Sequence, residues 1–120
     1  MVKIGNIELP DFPLLLAPME DVSDPPFRRL CKTHGADMMY SEFISSEGLI
    51  RDAIKSRQKL DIFDYERPVG IQIFGGDEEA MALSSKIVST VNPDLIDRRH
   101  GITACRIGDR SQTSAPCLPA

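Results

Sequence analysis

Four stretches of this 120-residue chain hold side chains able to contact a ligand: Ala17-Pro18-Met19, Ser41-Glu42, Gln72 and Asp97. They offer a polarisable thioether, carboxylates and a primary amide that both donates and accepts. Each stretch ends or follows a short apolar segment. If those segments are parallel strands, the four share the carboxyl rim of a sheet, where α/β folds bind their ligands. A capping layer of mixed residues is the plain alternative for the same pattern. Cys31, Cys105 and Cys117 form no C-x-x-C pair and lie far from His34 and His100 in sequence, so neither a zinc site nor a disulfide framework is indicated.

The elements needed to position these residues follow from local rules. Residues 2–9 alternate around Gly5-Asn6 and predict a small hairpin. Leu14 to Ala17 predict a continuous apolar strand buried on both faces. Ser23 or Asp24 caps a helix with Pro25 in its first turn, Phe27, Leu30 and Cys31 inward, Arg28, Arg29 and Lys32 outward, and Gly35 as its stop. Cys31 then reads as a buried structural thiol. A second strand spans about 36–43, and a helix from Ser45 or Ser46 carries Leu49, Ile50, Ala53 and Ile54. After a polar, partly irregular stretch from Ser56 to Pro68, a third strand covers 69–74. Gly75-Gly76-Asp77 turns into a third helix with Ala80, Leu83, Ile87 and Val91 as its inner stripe. Asn92-Pro93 breaks that helix, and 94–97 begin a fourth strand. Strand–helix repeated three times, then a strand, demands a parallel sheet. A doubly wound sheet and a (β/α)₈ barrel both satisfy it.

Charge and composition narrow the function. Residues 98–120 carry four arginines against one aspartate, a net +3, which leaves −7 on residues 1–97 of a chain totalling −4. An acidic segment is a poor partner for phosphates, so nothing in the charge argues for nucleic acid. There is no apolar run of membrane length and no secretory leader pattern, which points to no membrane and a cytoplasmic location. Beyond Asp97 neither strand nor helix period persists, and 98–120 read as a disordered or frameshifted tail.

The segment from Leu16 to Arg29 (Leu16-Ala17-Pro18-Met19, Ser23-Asp24, Phe27-Arg28) resembles the opening signature of tRNA-dihydrouridine synthases. Ser41-Glu42-Phe43, Val69 to Gly75 and Asp94-Leu95-Ile96-Asp97 resemble that family's second, third and fourth strand endings, in order and at natural spacing. The resemblance covers residues 1–97. It implies the first four parallel strands and three helices of a (β/α)₈ barrel, a partial TIM barrel with a short N-terminal hairpin. It further implies FMN at the barrel mouth, contacted by Pro18, Met19, Glu20 and Gln72, with NADPH as reductant and tRNA as the partner whose uridine C5–C6 bond is reduced. The same four strand ends would suit a small-molecule FMN barrel reductase, which lacks the Ser23-Asp24 and Phe27-Arg28 pairs.

One departure bears on the chemistry. Counting from Asp97 through the family's D-x-N-x-G-C-P places asparagine at 99, cysteine at 102 and proline at 103, where this chain has Arg99, Ile102 and Thr103. Ile102 has no proton to give, so no catalytic residue is assigned, and Cys105 falls three residues late. The expectation is a partial barrel, inactive alone, whose open sheet edges invite self-association or pairing with a full-length partner as a non-catalytic form.

Overall fold

The computed structural model describes residues 1–100. The chain opens with a hairpin, β1 (Val2–Ile4) and β2 (Ile7–Leu9), paired antiparallel. Gly5 takes a left-handed φ of 59° in its turn, a conformation that costs glycine nothing. Then come β3 (Leu15–Leu16), α1 (Pro25–Thr33), β4 (Met38–Tyr40), β5 (Ile44–Ser45), α2 (Ser46–Ile50), α3 (Ile54–Gln58), a 3₁₀ turn (Asp64–Glu66), β6 (Val69–Gly75), α4 (Glu78–Ser89) and β7 (Leu95–His100).

Every pairing among β3 to β7 is parallel. β4 and β5 lie along the same side of β6, and β7 lies on its other side. Counting β4 and β5 as one interrupted strand, the sheet runs in chain order: first, second, third, fourth. A doubly wound sheet reverses order at its switch point, whereas a (β/α)₈ barrel never does. The winding is therefore that of a barrel, and the sheet is its first four strands.

The interruption is a bulge. Tyr40 pairs with Gly70 and Ile44 with Ile73, so four steps along one strand match three along the other. The extra residue turns the 41–43 segment out of the ladder, at the level where Glu42 leaves the sheet.

Alternation along β6 sends Ile71 and Ile73 to the helices, where Ile44, Leu49, Leu60, Met81 and Val88 complete a buried core. Gly70 and Gln72 face the other way. Tyr40 lies across Gly70, and a Cβ there would come within 2.7 Å of the ring, so only glycine leaves room for it.

Helix signals were legible where caps carry them. Asp24 caps α1, accepting from the Phe27 N–H at 3.0 Å, and Asp77 caps α4, accepting from Ala80 at 2.7 Å. Facing was less legible. Arg28, expected outward, is buried at 2 % exposure, while Leu30, expected inward, is 56 % exposed. An ion pair with Glu66 overrides the apolar stripe and rotates α1. Cys31 is accordingly half-buried rather than sealed. In α4, Leu83 is exposed and Ser84 is buried, its hydroxyl donating to the Ser46 carbonyl at 3.0 Å.

The helix expected across residues 45–54 is two. Asp52 takes a φ of 57°, a left-handed state aspartate tolerates, and the break leaves Ile54 exposed. Leu14 and Leu15 are exposed as well, because among the described residues β3 is an edge strand. At the other edge the fourth strand outruns the expected boundary at Asp97: Arg98, Arg99 and His100 pair with Ile73, Phe74 and Gly75. Residues 101–120, the rest of the expected tail, lie outside the described residues. No described helix is long and apolar enough to cross a membrane.

Candidate functional site

The loop after β3 is built around its own backbone. The Met19 N–H donates to Ser23 Oγ at 3.0 Å, and the Met19 carbonyl accepts from Val22 and Ser23. Ser23, fully buried, also donates from Oγ to the Ala17 carbonyl at 3.2 Å. Asp21 makes the turn with a φ of 60°. Main-chain groups of Met19 are thus already engaged, and what it offers a ligand is the thioether.

Register places this loop relative to Gln72. Leu16 pairs with Met39, and Met39 with Val69. Met19 lies three residues beyond Leu16, and Gln72 three beyond Val69. β3 ends at Leu16, so Met19 stands in the loop beyond the ladder, whereas Gln72 lies within β6.

Gln72 is 7 % exposed, and its Nε2 donates to Asp97 Oδ2 at 2.6 Å from the position directly opposite on β7. Tyr40 shares this face. Burial pushes its phenol above the ordinary value, and the Asp97 charge pushes it further in the same direction. Replacing Asp97 by asparagine should lower the Tyr40 pKa while leaving it above the ordinary range, since burial remains. A phenolate absorbance titration reads this; an unchanged Tyr40 would show that Asp97 does not act on it. The raised pKa favours folding below about pH 10, and that contribution disappears as pH climbs through the folded value.

Glu20 sits elsewhere on the rim. Lys59 Nζ lies 3.7 Å from Glu20 and 3.8 Å from Glu42, all three largely covered. They line a cleft of about 530 Å³ with Asp21, Asp24, Arg28, Lys55 and Asp61. Neither Met19 nor Gln72 lines it. Two of the four candidate residues thus fall into separate groups: Gln72 with Asp97 and Tyr40 on the sheet face, and Glu20 with Lys59 and Glu42 in the cleft. Pro18 and Met19, both half-buried, lie on the loop after β3. No group of His, Cys, Asp and Glu among the described residues is arranged to hold a metal ion.

Beneath the cleft, Arg28 makes four hydrogen bonds. Nε and Nη2 donate to the two Glu66 oxygens at 2.8 and 3.0 Å, Nη1 to the Ser23 carbonyl at 2.7 Å, and Nη2 to the Asp61 carbonyl at 2.8 Å. Arg28 therefore ties the Met19 loop to the segment that carries Lys59. Neither Lys59 nor the Arg28–Glu66 pair was marked by sequence pattern; a basic residue in a polar stretch and an arginine among charged neighbours both look solvated.

The model of the family described as Dihydrouridine synthase (Dus) matches residues 15–101, from β3 to just beyond β7. The chain belongs to the dihydrouridine synthase family. It is 38 % identical over 96 residues to a probable tRNA-dihydrouridine synthase of Aquifex aeolicus, covering 78 % of this chain and 30 % of that protein. It is 35 % identical over 115 residues to tRNA-dihydrouridine synthase B of Pseudomonas aeruginosa, covering 96 % and 34 %. A probable tRNA-dihydrouridine synthase of Rickettsia prowazekii is 36 % identical over 108 residues, covering 89 % and 33 %. The chain spans about a third of the length of these dihydrouridine synthases.

Proposed function

We propose that this chain forms the flavin-facing lip of a tRNA-dihydrouridine synthase barrel, with FMN as cofactor, NADPH as reductant and a tRNA uridine as substrate. The observation that carries the reading is Gln72, held nearly buried on β6 by Asp97. The residues suit a flavin. A flavin edge alternates acceptors with an N–H, and a carboxamide answers both. The Met19 thioether offers a soft surface for packing a ring. Pro18 shapes the same loop, and Glu20 contributes through Lys59 and the cleft rather than beside Gln72.

FMN, when bound, supplies the hydride for reduction of the uridine C5–C6 double bond. The chain's own share is to seat and orient the ring. It brings no proton donor at the family's cysteine position, where Ile102 stands. The substrate class rests on the relatives' names, since the net −7 charge of residues 1–97 gives no argument for a phosphate-rich partner. A tRNA substrate is consistent with work in the cytoplasm. The segment from Ser23 to Arg28 favours this family over a small-molecule flavin reductase.

Titration with FMN, followed by flavin fluorescence and absorbance, tests the reading. We expect weak, saturable binding that is not retained through purification and that Gln72→Leu weakens about tenfold, the value of a hydrogen bond in a largely dry site. Spectra unchanged at any FMN concentration would refute it.

A further inference from the structure

The 2.6 Å contact between Gln72 Nε2 and Asp97 Oδ2 does more than satisfy a nearly buried amide. A carboxylate only accepts, so it admits one of the two orientations of a carboxamide. The flipped orientation would set Oε1 against a carboxylate oxygen, two acceptors with no proton between them. Gln72 Oε1 makes no hydrogen bond to any described residue. Nor is it a sealed orphan, because among the described residues the buried side-chain polar atom without a partner is Ser46 Oγ.

We propose that Asp97 is the positioning residue of the ligand-facing amide: it fixes Gln72 with Oε1 turned to the mouth, so that the ligand edge met there is an N–H. This rests on the FMN reading above. Within that reading, Oε1 accepts from the isoalloxazine N3–H, and the ring's rotation in the barrel is set by which end of one amide Asp97 has taken. Asp97 itself touches no flavin atom; it acts through Gln72. Register makes the arrangement rigid, since the two residues are direct partners on adjacent parallel strands.

The test compares FMN with its N3-methyl analogue, which cannot donate. The wild-type chain should prefer FMN by about tenfold, one hydrogen bond's worth. Asp97→Leu frees the amide to turn its nitrogen outward, and the preference should fall to near unity. Asp97→Asn, whose amide donates as well as accepts, admits both orientations of Gln72, and the preference should fall there too. A merely structural Asp97 would change both affinities together and leave their ratio alone. Thermal melts establish that each variant folds. Should Asp97→Leu fail to fold, the Gln72 side-chain amide signal in a nitrogen–proton correlation spectrum takes its place: slow exchange is expected in the wild type and faster exchange in Asp97→Asn.

A tenfold preference surviving in Asp97→Leu, or a fast-exchanging Gln72 amide in the wild type, overturns the proposal. So does a wild type indifferent to N3-methylation whose FMN affinity still depends on Gln72, and that result leaves the FMN reading standing. FMN binding that is absent, or unaffected by Gln72→Leu, removes Gln72 as the flavin contact and the proposal with it.

Discussion

Glu66→Ala lowers the unfolding free energy of this chain by about 3–5 kcal/mol, the expected cost of leaving a buried charge without its partner. Arg28 and Glu66 are 2 % and 0 % exposed, and their contact is bidentate. With Glu66 gone, the guanidinium keeps only the Ser23 and Asp61 carbonyls among its described partners. Arg28→Met should cost a similar amount by stranding the carboxylate. The pair replaced together, Arg28→Met with Glu66→Leu, should lose much less, because no uncompensated charge remains. Urea unfolding followed by circular dichroism measures all three. Single variants within 1 kcal/mol of the wild type would mean the pair is hydrated in solution. The loss should also reach the rim, since Arg28 anchors the loop that carries Met19.

The second large effect concerns chemistry. Supplied with FMN, NADPH and unmodified tRNA, this chain should form no measurable dihydrouridine, as read by nucleoside mass spectrometry. A positioned general acid contributes roughly 10²–10⁴ in rate, and under the proposed reading the count from Asp97 puts Ile102 where the family pattern has its cysteine. Cys105 lies three residues further on in sequence. Ile102→Cys alone should not restore turnover, because Arg99 and Thr103 also replace the pattern's asparagine and proline. Turnover by the wild-type chain would show that the proton comes from another group and would cancel the role given to position 102.

The sequence by itself determined what depends on near neighbours. The hairpin follows from Gly5-Asn6, the caps from Asp24 and Asp77, and the alternation of strands and helices from apolar runs between turn residues. The family was legible too, since its signatures sit in short blocks. The expectation that Met19 and Gln72 share one rim follows from strand ends sharing an edge in any parallel sheet.

What only the tertiary structure decided spans long sequence separations. Barrel winding rather than a doubly wound sheet is a matter of which strand lies beside which, and both orders have one local pattern. Arg28 is inward because a carboxylate 38 residues away meets it, an energy that no helical stripe encodes. The bulge before Ile44 comes from register against β6, and the Gln72–Asp97 bond joins residues 25 apart. Side-chain direction follows the lowest free energy of the whole packed sheet. Where a charge pair or a neighbouring strand outweighs local preference, the residues near it in sequence carry no trace of the outcome.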